Sequence, residues 1–387
     1  MGIKEKDFEY VANTYARFPV ELVRGSGSLV YDVNGKEYID LNSGIAVNSF
    51  GIADKEWQAA VTDQLGKLQH TSNLYFSDPC ATLAQMLCKR TGMKKVFFSN
   101  SGAEANETAV KVARKYAAEK KGAEYFTVIT MKNSFHGRTM AMLAATGQDA
   151  MHKDFLPLMP GFAYADPDDP STLEKCVKEN KVAAIMFEIV RGEGGVLPLD
   201  KSFIELIDRI AKENDILTIC DEVQTGNGRT GELYAYMNYG ITPDIVTTAK
   251  GLGGGLPIGA TLLGEKVKDT LTPGSHGSTF GGNPVCCAGA CSIISRIDEK
   301  LLDEVKQKSK YVFDAFEGAK GIKSVTGLGL MIGVETEKPV ADVISACIEK
   351  GVLPIKAKEK LRLLPALNIP FELLKKGIEV IKEAAAK

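Results

Sequence analysis

Histidine is scarce in this chain, with four among 387 residues, and none stands at metal-ligand spacing from the cysteine group Cys286, Cys287 and Cys291. The eight cysteines include no Cys-x-x-Cys pair, so no metal site is expected and the thiols read as small buried hydrophobes. Long apolar runs are missing too: nowhere do about 18 apolar residues follow one another, which excludes a membrane-spanning helix. The first residues, MGIKEKDFEYVANTYARFP, lack the apolar stretch of a secretory signal. Lys6 stands where the myristoylation pattern needs Ser or Thr. A reducing, cytoplasmic setting is the expectation. Neither sign of charge dominates, since 47 basic residues face 49 acidic ones and the basic residues form no block. That balance argues against nucleic acid or an anionic membrane surface as a partner.

What is present is length and order. A chain of this size exceeds what one hydrophobic core usually serves, so two domains are expected. Its 38 glycines gather in short runs such as GLGGGLPIGA, which implies close backbone approach at particular points. SLVYDV and KEYIDL flank Asn34-Gly35 and predict a hairpin over 28–41. Apolar spacing predicts a helix over 54–68, and Asp78-Pro79 is expected to cap and open another. The centre then alternates: strands at KKVFFS, YFTVIT, VAAIMFEI, DILTICDE, IVTTAK and GATLLG, with helices over 103–119 and 201–213. Strands joined by helices imply an α/β domain with a mostly parallel sheet covered on both faces. Ligands in such sheets sit beyond the carboxyl ends of the strands, where the polar residues of interest fall. After about residue 290 helices surround shorter strands, as in an α+β lobe. The division taken is 1–55 as an N-terminal segment serving the small domain and a dimer contact, 56–290 as the large domain, and 291–387 as the C-terminal small domain.

Three places carry the chemistry. Ser101, Gly102 and Ala103 lie between a strand and a helix; they read either as an anion site built from backbone N–H groups or as an ordinary helix cap. Asp221 and Glu222 end an apolar strand, which suits a metal ligand, an acid/base group, a partner for a ring nitrogen or a capping residue. Lys250 follows IVTTA and precedes GLGGG. A lysine so placed is either solvated or a desolvated, nucleophilic amine fit for a carbonyl Schiff base.

Ten segments in register resemble the class III (ornithine-type) aminotransferases, of pyridoxal-phosphate fold type I, and within them the acetylornithine group. They are NTYARFP, GKEYIDLNSGIAVN, HTSNLY, SGAEANE, NSFHGRT, EIVRGEGG, DEVQTGNGRTG, AKGLGGGLPIGA, STFGGNP and LRLLPALN. The resemblance implies a large domain with a mostly parallel seven-stranded sheet, a smaller α+β domain, and pyridoxal phosphate as cofactor. It implies that Lys250 carries the cofactor as a Schiff base and moves the substrate proton, and that Asp221 pairs with the ring nitrogen. Phe135 would stack on the ring, Gln224 would lie on its oxygen side, and Ser101, Gly102 and Ala103 would receive the phosphate. Thr279 would reach that phosphate from the neighbouring subunit, which implies a homodimer with active sites at the boundary.

For substrate, Arg138 resembles the residue that grips the distal carboxylate, and Arg362 the one that binds the α-carboxylate of glutamate or 2-oxoglutarate. Glu193 resembles the glutamate that pairs with Arg362 when the donor brings no α-carboxylate there; Ser278 and Tyr15 resemble substrate-contacting residues. The implied reaction passes the 5-amino group of N2-acetyl-L-ornithine to 2-oxoglutarate in two half-reactions. Related donors such as succinylornithine, ornithine, 4-aminobutyrate and a lysine-pathway intermediate are the rivals; a mutase or racemase and a non-catalytic binding protein stand further off. The chain departs from the family at FGIADKEW, where a histidine is usual, at Ile189 and Arg191, where Pro and Gln are usual, and at Asn227 in place of Met. Arg191 is expected to add charge near the substrate side.

Overall fold

The computed structural model describes residues 1–386. Seven short apolar segments form its main sheet: β1 (Lys95–Ser99), β2 (Thr127–Met131), β3 (Phe162–Ala165), β4 (Val182–Phe187), β5 (Leu217–Asp221), β6 (Ile245–Thr248) and β7 (Gly259–Leu263). Their spatial order is β1-β7-β6-β5-β4-β2-β3. Six strands share one direction, and only β7 runs against both of its neighbours. Strands β2, β4, β5, β6 and β7 are buried at every position, because helices cover both faces; this is why their sequences run apolar instead of alternating. The covering helices show the complementary pattern. In the helix Lys201–Glu213, Phe203, Ile204, Ile207, Ile210 and Ala211 are buried at three- and four-residue spacing.

The helices that shape the site are α1 (Asp78–Thr91), α2 (Gly102–Lys120) and α3 (Pro284–Arg296). Ser77, not Asp78, occupies the cap position of α1; Asp78 sits in the first turn, where its charge complements the helix dipole. Ser101 caps α2 by accepting from the Glu104 N–H, and a small-residue stripe (Ala105, Ala109, Ala113, Ala117) lets α2 lie close on the sheet. Asn283 caps α3, accepting from the N–H groups of Val285 and Cys286, with Pro284 in the first turn. Neither α3 nor β3 is apparent from periodicity, and the break in composition near residue 290 falls inside α3.

Two smaller sheets flank this layer. Leu22–Ser26, Leu29–Asp32 and Glu37–Asp40 pair antiparallel as a meander, the last two forming the expected hairpin, and Val352–Leu353 joins its edge in parallel. The start of the chain is thereby knitted to its C-terminal third. The second sheet runs Ile322–Leu328, Met331–Thr336, Lys360–Leu363, Ile355–Ala357; it presents Arg362 from a strand paired on both sides. Among the described residues no helix is long and apolar enough to cross a membrane, and no group of three or more His, Cys, Asp and Glu is placed to hold a metal ion.

Candidate active site

The carboxyl ends of β1, β5 and β6 open into one cavity of about 490 Å³, which Ser101, Gly102, Ala103, Phe135, Arg138, Asp221, Gln224 and Lys250 all line. Its size suits a cofactor with a small substrate. Asp221 and Thr247 are register partners on the adjacent strands β5 and β6, and Lys250 follows three residues beyond Thr247. The carboxylate and the amine therefore reach the same space from neighbouring strands.

Asp221 is 3 % exposed and held on three sides. Its Oδ2 accepts from Asn106 Nδ2 and from His136 Nδ1, each at 2.7 Å, and its Oδ1 accepts from the Val223 N–H at 3.0 Å. Asn106 is fixed in turn: its Oδ1 accepts from the Thr247 hydroxyl at 2.6 Å, and its Nδ2 also donates to the His136 carbonyl at 2.8 Å. Burial pulls the His136 pKa down, but the hydrogen bond and charge of Asp221, with Glu188 behind it, outweigh burial and raise it above the ordinary imidazole range. Glu188 accepts from the Phe135 N–H at 2.9 Å, which fixes the backbone beneath that ring. Burial pushes Glu188 up to about 7, against the pull of His136 and with the help of Asp221. Sequence reasoning missed Asn106, His136 and Glu188 as site residues although all three lie inside quoted motifs (SGAEANE, NSFHGRT and EIVRGEGG). Only the fold brings residues 106, 136 and 221 together.

Lys250 has φ +44°, a left-handed conformation that costs a non-glycine residue energy. The chain turns sharply after it, with φ +59° at Gly254 and +128° at Gly255, which accounts for the glycine run. Desolvation lowers the Lys250 pKa, partly opposed by Glu193 and, more weakly, by Asp221 and Glu188, while Arg362 pushes it further down. Asn227 stands behind this turn: its Nδ2 donates to Thr248 Oγ1 at 2.9 Å and to the Ala249 carbonyl at 3.2 Å. It takes φ +57°, which asparagine tolerates better than methionine. The departure at 227 is thus a brace for the lysine-bearing segment.

At the rim, Arg362 is buried and Nη1 donates to both Glu193, in an ion pair, and Gln224 Oε1 at 3.1 Å. Burial would raise the Glu193 pKa; Arg362, with help from Lys250 and Gln224, holds it below the usual carboxylate range. Arg138 is exposed, its guanidinium 5.5 Å from the centroid of the Phe135 ring. Arg191 does not line the cavity: it is buried, donates from Nη1 to the Lys132 carbonyl at 3.2 Å, and has its pKa lowered by desolvation. The added charge expected at the substrate side therefore points elsewhere. Ser278 approaches through Asn100, whose Nδ2 donates to its hydroxyl at 3.2 Å. Thr279 lines a different cavity, with Asn73 and Cys80, and Tyr15 is 69 % exposed beside Arg17. Neither is among the residues that line the Lys250 cavity.

The residues present fit pyridoxal phosphate. The first N–H groups of α2, at Gly102 and Ala103, have no acceptor within the helix and face the cavity beside the Ser101 hydroxyl, a ready anion site. A Cβ at Gly102 would stand 2.6 Å from Val223 Cγ1, so only glycine brings this helix start so near the Asp221 strand end. An aromatic ring, a buried carboxylate and a lysine amine complete the donor set a phosphorylated pyridine aldehyde requires.

Comparisons with known proteins agree. The chain is 48% identical over 387 residues to the acetylornithine aminotransferase of Haemophilus ducreyi, covering 100% of this chain and 98% of that protein. A solved ornithine aminotransferase of Toxoplasma gondii, described with partial occupancy of PLP at its active site, superposes with TM-score 0.94 at 32% identity, over 99% of this chain and 93% of the other. The N-acetylornithine aminotransferase of Stenotrophomonas maltophilia K279a gives TM-score 0.85 at 35% identity, over 99% and 98%. The sequence profile of the class III aminotransferases matches residues 10–385; the chain belongs to that family of pyridoxal-phosphate-dependent transaminases.

Proposed function

We propose that this enzyme transfers the 5-amino group of N2-acetyl-L-ornithine to 2-oxoglutarate, giving N-acetyl-L-glutamate 5-semialdehyde and L-glutamate. The observation that carries the transamination is the pairing, on adjacent strand ends of one cavity, of a desolvated lysine amine with a buried carboxylate held by three donors; the choice of donor rests on the full-length likeness to the acetylornithine aminotransferase of Haemophilus ducreyi. Bound there, pyridoxal phosphate supplies an electron-withdrawing ring that stabilises the carbanionic charge left when a substrate carbon loses a proton. Lys250 holds the cofactor and, once its amine is free and neutral, takes that proton on Nζ and returns it. Asp221, kept in place by Asn106 and His136, would meet the ring nitrogen and favour its protonated form. Phe135 would cover one ring face, and Gln224 would lie on the ring's oxygen side. Ser101, Gly102 and Ala103 bind the phosphate, with Thr279 of the neighbouring subunit in a homodimer. The separate cavity of Thr279 supports that reading, since Thr279 is not among the residues lining the Lys250 cavity of the same chain.

Substrate choice follows from the arginines. Arg138 takes the carboxylate distal to the reacting amine, with Ser278 and Tyr15 at the entrance. Arg362 takes the α-carboxylate of 2-oxoglutarate, and its ion pair with Glu193 occupies the guanidinium when the donor brings an amine instead. One pocket thus accepts two unlike substrates in turn. A cytoplasmic location is supported by eight cysteines that are all free. Glutamate formation from N2-acetyl-L-ornithine, succinylornithine, ornithine and 4-aminobutyrate at fixed 2-oxoglutarate tests the donor. Acetylornithine is expected to give the highest kcat/KM by at least about tenfold, a difference of about 1.4 kcal/mol in transition-state binding. A higher value for ornithine would favour the second reading, which the likeness to the Toxoplasma enzyme supports.

A further inference from the structure

The loop between β7 and α3 carries Ser278 and Thr279; besides the Asn100 bond to the Ser278 hydroxyl and a ring contact between His70 and Phe280, it is held on two sides. On one side Asn73, from the HTSNLY segment, donates from Nδ2 to the carbonyls of Ser278 at 3.0 Å and Gly281 at 2.8 Å. On the other side His276 is wedged against α2 and β1. Its ring stacks on Phe97 with centroids 4.7 Å apart and planes 26° from parallel. Its Nε2 lies 3.0 Å from Thr108 Oγ1 and its Nδ1 2.8 Å from Lys111 Nζ.

These partners determine the protonation state. The single proton of the Thr108 hydroxyl goes to the Glu104 carbonyl at 2.8 Å, so toward His276 this oxygen accepts, and Nε2 must be the N–H. An ammonium has only donors, so Nδ1 of His276 must be the acceptor. Only the neutral Nε2–H tautomer meets both demands. A second proton would place an N–H against the Lys111 ammonium at 2.8 Å. The facing charged groups are Lys111 and Glu104; burial and Lys111 together lower the His276 pKa, and Glu104 opposes them only in part.

We propose that neutral His276 is a positioning residue that holds the 272–283 loop, and with it the Thr279 hydroxyl, in the geometry the cofactor site needs, and that acid releases it. This rests on the reading that Thr279 contributes to the phosphate site. The sign follows from the lowered pKa: the contribution is full above the ordinary imidazole range and is lost as pH falls through the folded-state value.

Retention of pyridoxal phosphate by the loaded enzyme is the test, read as a cofactor dissociation constant at about pH 8 and about pH 5.5. His276→Ala should weaken retention about three- to tenfold at the higher pH, the size expected from losing a part-buried bond to Thr108 and a more exposed one to Lys111. His276→Gln, whose amide can donate to Thr108 and accept from Lys111, should keep near wild-type affinity at pH about 8 and lose most of the acid sensitivity. Lys111→Met should flatten the acid limb, because without the ammonium a second proton on Nδ1 meets no repelling cation. A His276→Gln protein with the wild-type pH slope, or a folded His276→Ala protein with wild-type affinity at both values, would overturn the proposal. Thr279→Val separates the two ideas. If it weakens retention while His276→Ala does not, the role of His276 alone falls; if it leaves retention unchanged, the phosphate role of Thr279 falls and takes the proposal with it. Should His276→Ala fail to fold, the pH slopes of His276→Gln and Lys111→Met decide.

Discussion

Replacing Asn106 by alanine should damage the enzyme out of proportion to its size, since Asn106 joins three groups from three parts of the chain. It donates to Asp221 at 2.7 Å and to the His136 carbonyl at 2.8 Å, and accepts from Thr247 at 2.6 Å, all in a fully buried setting. A typical buried hydrogen bond contributes about 0.5–1.5 kcal/mol net, and a group left unpaired costs about 1–3 kcal/mol. Loss of these bonds, with the Thr247 hydroxyl orphaned, should therefore cost about 2–4 kcal/mol of stability, measurable by urea unfolding of the cofactor-free protein. Asp221 keeps two of its three donors, so catalysis should fall but survive, by about ten- to a hundredfold in kcat. Asn106→Asp should be worse than alanine in kcat, because it sets a second carboxylate where the amide met Asp221. The reasoning is refuted if Asn106→Ala unfolds within about 0.5 kcal/mol of the parent and keeps kcat within about twofold.

Three further outcomes are expected. Arg191→Gln should leave kcat/KM for the donor within about twofold, because Arg191 lies outside the cavity and spends its guanidinium on the Lys132 carbonyl; a larger change would place it in substrate binding. Glu188, pushed up to about 7 from an ordinary 4.5, favours the folded state when protonated, so its contribution is full below the unfolded pKa and is lost as pH rises through about 7. Glu188→Gln can still accept from Phe135, and its unfolding free energy relative to the parent should improve between about pH 5 and about pH 8; an unchanged difference would refute this. Asn227→Ala should lower kcat several-fold and cost about 1–2 kcal/mol in stability by freeing the segment before Lys250, with unfolding and steady-state rates as the measures.

The main sheet was legible because burial on both faces writes each strand as a short apolar run, and because Lys250 and Asp221 stand as polar punctuation at strand ends. Strand Phe162–Ala165 was not, since a four-residue edge segment that follows the apolar, proline-broken FLPLMPG leaves no period to count. Helix Pro284–Arg296 was hidden by its cysteines, alanines and glycine, which pack against neighbouring helices on several sides and so blur the amphipathic stripe. Within the site, residues whose roles depend on type and local position were readable: a lysine before glycines, a carboxylate ending a strand, a serine opening a helix. Asn106, His136 and Glu188 act through partners 30 to 115 positions away along the chain or through a backbone N–H, a relation no local spacing records. Arg191 misled for the matching reason: its position beside Gly192 and Glu193 says nothing of which way the side chain turns.

The most direct test of the central claim is the visible absorbance of the cofactor-loaded protein titrated with N2-acetyl-L-ornithine in the absence of 2-oxoglutarate. If Lys250 holds the cofactor and the donor passes its amino group to it, the visible band should disappear as donor is added and return when 2-oxoglutarate follows. The same protein with Lys250→Ala should show neither change. A band that acetylornithine leaves untouched at every concentration, while ornithine or 4-aminobutyrate discharges it, would contradict the proposed donor; a full cycle in the Lys250→Ala protein would contradict the mechanism itself.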